Sequence, residues 1–477
     1  MKARSVTLCL LCLITFSTVA CERQPVVGTR TPLDTSRFYL EPTAEILPTP
    51  TESDKTVVEF WTDDNEPERV AVYEEVANRF MASHPNVDLR IVPVDESSIS
   101  ERITAAVAAD ALPDILRLGI ERVMSLAADD LLDDEAAQVV IESVGQADFR
   151  EAPLNLVANP NTGRPMAVPY EGWIQALWYR TDALAELDLS LPISWDAIGT
   201  AACALPDSGY FEHGIVLPTD PGQNYVHQVF EQVAISNNAW PFDQAGNVTM
   251  NTPEMIEALT WYGGLQECAL PGVQSADGAR TGYLANRAGM FFYSTYIMDD
   301  LVEGIDIEGA ETAEGDLARK TGFTALMSGP NGAATYGQLV ALAITGGADP
   351  AAQDVATFFL TEGYLDVLAI EPFGKVPVLK SAVDEWKQSS EYFNYYSEET
   401  LERIVNSHNT VQRWFFRPDY DVHERAVIGE IEGQLLIPQV IYTMVIERTL
   451  TPRAGAEFLQ TRVEALLAER IDVKGRE

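Results

Sequence analysis

Between residues 57 and 119 the apolar positions move between two rhythms. VVEFW (57–61) is a short β-rich run, and the polar turn TDDN (62–65) follows it. Val70, Tyr73, Val76, Ala77 and Phe80 then recur at steps of three and four, which lays one stripe along a helix over EPERVAVYEEVANRFMASHP, residues 66–85. Asn65 is placed to cap that helix with Glu68 three residues on, Pro67 suits a first turn, and Pro85 ends it. VDLRIVPV (87–94) alternates as a second strand and SISERITAAVAADA (98–111) reads as a second helix. Leu112 to Leu116 reads as a loop into a third strand. Strand, helix, strand, helix, strand predicts a parallel α/β sheet with right-handed crossovers. Ligands of such sheets bind beyond the carboxyl ends of the strands, here Trp61 to Asn65 and Arg117 to Arg122.

Further along, GRPMAVPYEGWIQALWYRTDALAEL (163–187) is extended and aromatic before it turns helical. Helices are expected over 193–205, 251–267 and 350–365, and strands over 213–218 and 337–344. RAGMFFYSTY (287–296) reads as a small-residue turn, a strand and then aromatics. The last hundred residues read mostly helical, and no repeat of 20 to 50 residues is visible.

The amino terminus has a different pattern. Lys2 and Arg4 precede an apolar stretch from Val6 to Ala20. As a helix it would reach about 22 Å, short of the roughly 30 Å hydrocarbon core of a membrane. It therefore reads as an export signal over 1–20 rather than a span. Thr18-Val19-Ala20-Cys21 resembles the bacterial lipobox, with Thr18 where Leu is usual. That resemblance implies acylation of Cys21 and attachment to the membrane; a plain secreted protein with an incidental Cys21 is the alternative. Residues 21–55 carry Pro25, Pro32, Pro42, Pro48 and Pro50 among many threonines, the composition of a semi-stiff tether.

A formal net charge of −40 argues against nucleic acid as a partner, because a polyanion is repelled. About 420 residues follow the tether, a length that suggests two lobes, and 46% hydrophobic residues suit a soluble globular body. Cys203 and Cys268 could pair in an oxidising exterior, but spacing alone cannot bring them together. CxxC, HExxH, GxxxxGK[ST] and GxSxG are all missing, and the five histidines are scattered, so no metal, cofactor or nucleophile elbow is expected.

The order FWTDDNEPER, ALPDILRLG, RPMAVPYEGWIQALWYRTD, ISWDAI, NRAGMFFYSTY and GQLVALAI resembles the extracellular solute-binding proteins of ABC importers, in their maltose-binding-like, carbohydrate-type branch. The resemblance spans roughly residues 56–470 and implies an α/β periplasmic-binding-protein fold of type II-like, two-lobed form. Each lobe would be a mixed, mostly parallel sheet flanked by helices. Lobe one would take 56–168 and 325–370, lobe two 169–324 and 371–477, with solute held in the hinged cleft. The implied partners are a small solute, with carbohydrate favoured, and the permease subunits; a monomer is expected.

A sugar needs flat aromatic surface and several hydrogen-bonding groups. The family's polar loop falls on Trp61, Asp63, Asp64 and Asn65, and its acidic and basic pair on Glu121 and Arg122. Leu118 replaces a tryptophan of some members. Tyr170, Glu171 and Trp173 flank the presumed hinge, and Tyr293 and Tyr296 match the aromatic offered by the second lobe. Each has a plainer alternative: Trp61, Tyr170 and Trp173 as packing, Asp63 and Asp64 as helix-dipole partners, Glu121 and Arg122 as a solvated pair. Trp178 and Tyr179 read as core. Tyr395 and Tyr396 resemble the paired tyrosines of ferric-ion binders, but no histidine stands at that family's spacing. The competing functions are a lipid-anchored carbohydrate-active enzyme and a sensor that presents solute to a receptor.

Overall fold

The chain's strands alternate with helices from the start of the folded body. The structure, a computed structural model, describes residues 55–95, 98–304, 315–417 and 419–474. The expected export segment, Cys21 and the tether up to residue 54 lie outside the described residues. Strands are β1 (Thr56–Thr62), β2 (Val87–Pro93), β3 (Ile115–Gly119), β4 (Val168–Arg180), β5 (His213–Val216), β6 (Ala288–Ser294), β7 (Thr321–Thr324), β8 (Met327–Ser328), β9 (Ala333–Ala334), β10 (Gly337–Ile344) and β11 (Val376–Pro377).

Nine of these form one mixed sheet in the order β2-β1-β3-β10-β4-β6-β5, with β7 and β11 also paired to β4; β8 and β9 pair separately. β1 runs parallel to β2 and β3, and β5 parallel to β6, while every antiparallel pair of the large sheet involves β4 or β10. β4 is the strand that both halves share. Its first half pairs with β10 and β11, and from Gln175 onward it pairs with β6 and β7.

The first three strands are each followed by a helix: α1 (Pro67–Ser83), α2 (Ile99–Ala108) and α3 (Ile120–Ala128). The stripe on α1 is buried as its spacing predicts, at Tyr73, Val76, Ala77 and Phe80. Phe60 of β1 meets Tyr73 edge-on at 6.0 Å and Phe359 at 4.9 Å, and Phe80 meets Phe358 at 5.5 Å. Asp114, expected only as part of a loop, is a clamp. Its carboxylate accepts from Glu59 N at 2.8 Å and Asp349 N at 2.8 Å, tying β1 to the turn that follows β10.

Three expectations need correction. Asn65 does not cap α1: with Pro67 as the first helical residue the cap falls on Glu66, and Asn65 donates to Asp95 at 3.3 Å instead. Arg117 belongs to β3, not to the loop beyond it, and residues 120–122 already form the first turn of α3. The helix expected over 350–365 is two, Ala351–Leu360 and Tyr364–Leu368. Gly363 separates them where the backbone passes so close to Val76 that a Cβ would come within 2.4 Å of its Cγ1. The carboxyl-terminal part is helical as expected, in Glu398–Ser407, Val422–Gly433, Leu436–Val445 and Pro452–Lys474.

Cys203, on the helix Trp195–Ala204, is disulfide-bonded to Cys268 across 65 residues of sequence. Closing a loop of that length removes freedom from the unfolded chain and is worth about 2–4 kcal/mol. Cys203→Ser is expected to lower unfolding free energy by that amount in urea titrations, and a reductant should lower wild-type stability without affecting the variant.

Candidate functional site

A cavity of about 1400 Å³ opens along the carboxyl ends of β1 and β3 and the middle of β4. Strand alternation decides which β4 residues reach it. Glu171, Trp173 and Gln175 line it, whereas Tyr170 and Ile174, on the opposite face, are fully buried. The same alternation in β10 sends Gln338 and Val340 to the cavity and leaves Leu339 and Ala341 behind.

Its floor is an ionic cluster. The buried Arg117 guanidinium donates to Asp63 and to Glu171 and lies 3.5 Å from Asp64 Oδ2. Lys375, fully buried, donates to Asp64 Oδ2 at 2.7 Å and lies 3.5 Å from Glu171 Oε1. Asp64 also accepts from Tyr73 Oη at 2.8 Å and from Arg69 at 3.3 Å. Burial alone would raise its pKa, but Arg117 and Lys375 outweigh that and hold the carboxyl far below the usual range. Arg69 continues the cluster to Glu371 at 2.9 Å.

At the other end of the cavity stands a second cluster. Arg413, fully buried, donates to Glu231 at 2.9 Å, to Gln338 Oε1 at 2.8 Å and to Glu432 at 3.4 Å. Gln338 passes the contact on, its Nε2 donating to Glu121 Oε2 at 2.7 Å. Burial and the Glu432 carboxylate together push the Glu121 carboxyl up, against Arg413 and Arg122.

Aromatic rings occupy the wall between the clusters. Trp173 tilts against Tyr336 at 6.0 Å, and Tyr293 meets Tyr225 edge-on at 6.0 Å. Tyr296 lies over Gly374 so closely that a Cβ there would come 1.9 Å from its ring, so only glycine admits this pose.

Of the residues singled out from sequence, Asp63, Asp64, Asn65, Glu121, Arg122, Glu171, Trp173, Tyr293 and Tyr296 are brought together around the cavity. Trp61 and Tyr170 are not. Trp61 is 6% exposed, with the Arg102 guanidinium 4.5 Å over its ring, and Tyr170 packs against Tyr364 at 5.8 Å. Trp178 and Tyr179 are core, as read. Sequence reasoning missed Arg69, Gln175, Asn224, Gln338 and Glu432 as cavity-lining residues and Lys375 behind them, and it marked Arg117 only as the start of a ligand-facing loop. Arg117 and Gln338 carried a signal: each is the lone long polar side chain in an otherwise apolar strand. Gln175 followed from counting two residues on from Trp173. Nothing in the local sequence marks Lys375 or Glu432.

The sequence from residue 63 to 365 matches the family described as bacterial extracellular solute-binding protein. The chain is 30% identical over 339 residues to YcjN of Escherichia coli K12, which carries the name of an ABC transporter periplasmic-binding protein; the match covers 70% of this chain and 76% of YcjN. Its fold is similar to the sugar-binding protein MalE of Xanthomonas citri, at 20% identity and a TM-score of 0.67, covering 88% of this chain and all of that one. It is similar also to the GacH receptor of Streptomyces glaucescens, solved unliganded and with acarbose, at 16% identity and a TM-score of 0.66 over 87% and 99% of the two chains. These likenesses establish the two-lobed periplasmic-binding-protein fold.

Lys375→Met leaves Glu171 with Arg117 alone and takes from Asp64 its 2.7 Å cation, with Arg117 and Arg69 remaining beside it. It is expected to cost roughly 3–5 kcal/mol in denaturant unfolding at pH 7. His408, packed behind Gly172 of β4, is held neutral down to about pH 3, because burial and the Arg150 charge both disfavour its protonation. The unfolded chain takes up that proton near pH 6.5, so the contribution of neutral His408 is full above pH 6.5 and lost as pH falls toward 3. His408→Gln should flatten the fall in stability between pH 6.5 and 5 by about 1.6 kcal/mol, read from urea titrations at the two pH values.

Proposed function

The chain belongs to the family of bacterial extracellular solute-binding proteins, and from that membership we propose that its solute is a carbohydrate held in the 1400 Å³ cavity. The observation that carries this reading is the combination of Trp173, Tyr293 and Tyr296 with a dense set of carboxylate, amide and guanidinium groups around one space. Aromatic faces take the apolar side of a pyranose, and the polar groups take its rim of hydroxyls. MalE of Xanthomonas citri is a sugar-binding protein and GacH was solved with acarbose, which supports the same class here.

In this reading lobe one (56–168 and 325–370) and lobe two (169–324 and 371–477) close about β4. Solute favours closure by its differential affinity for the closed form. The closed form delivers it to an ABC permease, and the protein acts as a monomer and not as an enzyme. Asp63, Asp64 and Glu171 are each committed to a cation, which suits fixed hydrogen-bond acceptors better than groups that move protons. Among the described residues no helix is long and apolar enough to cross a membrane. Attachment is proposed through acylated Cys21 on the lipobox-like Thr18-Val19-Ala20-Cys21, the tether raising local concentration near the permease.

A thermal-shift screen against a sugar library tests the reading. A carbohydrate at a hundred times its Kd should add about 2.7 kcal/mol of stability. Trp173→Ala should weaken the best ligand at least tenfold in calorimetry, about 1.4 kcal/mol. A melting point moved by a polyamine or a peptide but by no sugar would overturn the assignment, and sugar release by the purified protein would overturn the non-catalytic one.

A further inference from the structure

Gln175 is 1% exposed, and the amide that ends its side chain cannot turn. Its Nε2 donates to Gln232 Oε1 at 2.9 Å and to the Gln228 carbonyl at 3.3 Å. Gln232, on the helix Tyr225–Ser236 and equally buried, is locked in its turn. Its Nε2 donates to the carbonyls of Ala325 at 2.7 Å and Ala334 at 3.1 Å, so only its oxygen can face Gln175. A flipped Gln175 amide would set Oε1 against a main-chain carbonyl and an amide oxygen, neither of which has a proton to give. The succession of donors and acceptors therefore starts on two main-chain carbonyls, runs through both glutamines and ends on Gln175 Oε1.

That oxygen belongs to the cavity. β4 turns Glu171, Trp173 and Gln175 to the same side, and Trp173 is the one half-exposed residue of the strand. Gln175 Oε1 accepts no hydrogen bond from the described residues. Unlike Asn224 Oδ1 and Arg117 Nε, which their surroundings seal off, it keeps access to the space. Its polar neighbours on β4 and β10 are already engaged: Glu171 accepts from Arg117, and Gln338 bonds Arg413 and Glu121 with its two ends. Gln175 Oε1 differs from them in being both fixed and unmet. A solute that covers it displaces water, and a buried acceptor left without a donor weakens binding by about ten- to a hundredfold.

We infer that Gln175 determines specificity, its Oε1 accepting a hydrogen bond from one hydroxyl of the sugar that lies on Trp173. The inference rests on the carbohydrate reading above and narrows it. An ether, a phosphate oxygen, a carboxylate or an acetamido carbonyl at that place sets acceptor against acceptor and is rejected. The solute therefore carries a free hydroxyl at one defined carbon, on or next to the ring that stacks on Trp173. Gln232 does not line the cavity and is a positioning residue: it sets which end of the Gln175 amide meets the solute.

The test is calorimetry with maltose, cellobiose, lactose, trehalose and any further hit of the sugar screen, each beside its monodeoxy, deoxyfluoro and O-methyl forms. At one hydroxyl position all three replacements should weaken binding by about tenfold or more, fluorine no less than hydrogen, because a donor is what is lost. Gln175→Met should erase the preference at that position alone, binding parent and deoxy forms within about threefold of each other. A variant that had merely lost its packing would weaken every form alike. Gln232→Met should narrow the same preference with Gln175 intact, since the amide is then free to offer Nε2 instead. A readout without solute comes from nuclear magnetic resonance on isotope-labelled glutamine. The Gln175 amide protons should exchange slowly with solvent in the wild type and fast in Gln232→Met. Deoxy forms that bind as well as the parent at every position, a preference that survives Gln175→Met, or fast exchange in the wild type would overturn the inference and leave the carbohydrate reading standing. If no saccharide binds, the carbohydrate reading fails and this inference falls with it.

Discussion

Two cations buried in the cavity floor, Arg117 and Lys375, hold the rest of the site in register. A buried charge is tolerated only when its counter-charges are in place and well oriented. Here those counter-charges come from the end of β1 (Asp63, Asp64) and from β4 (Glu171), while the cations come from β3 and the segment entering β11. Four separate pieces of chain must therefore arrive together or leave a charge stranded. Tyr73 of α1 and Arg69 extend the requirement to the first crossover helix. Such a cluster adds little net stability over an apolar plug of equal volume, but losing any one member leaves a buried charge unpaired.

That arrangement also explains why the cavity's polar groups are fixed before any solute arrives. Gln338 is held between Arg413 and Glu121, Gln175 donates to Gln232 at 2.9 Å, and Tyr296 is lodged over a glycine. Side chains already held in place lose little freedom on binding, so more of each contact appears as affinity. β4 links the floor to the aromatic wall. Its alternate residues reach the cavity while the intervening ones anchor the strand to the core, and its two halves hydrogen-bond to different partners.

Much of the fold was legible because its elements are locally consistent. The α1 stripe and the strand at 87–94 follow from periodicity and the strand at 337–344 from its unbroken apolar run, and the structure bears these three out within a residue or two at their ends; the carboxyl-terminal region is helical as read, in four helices whose ends the sequence did not mark. The errors arise where contacts distant in sequence outweigh local signals. The helix breaks at Thr361, and Gly363 beyond it must stay glycine because Val76, nearly three hundred residues earlier, leaves no room for a side chain. The carboxyl ends of β1 and β3 pointed to the cavity, yet the residues that decide its charge, Lys375, Arg413 and Glu432, come from segments that carry no periodic mark. Trp61 and Tyr170 were drawn in by residue type, whereas the alternation along β4 already separated Tyr170 from Glu171 and Trp173.

The Cys203–Cys268 bond has a bearing on the life of the chain before it reaches its place of work. Thiol-reducing conditions inside a cell keep these two sulfurs apart, so the loop between them stays unlocked and the second half of the sheet is less firmly closed. The family this chain belongs to works outside the cytoplasm, where oxidation closes the loop and makes the folded form harder to reverse, so the same pair of residues acts as a latch set by its surroundings.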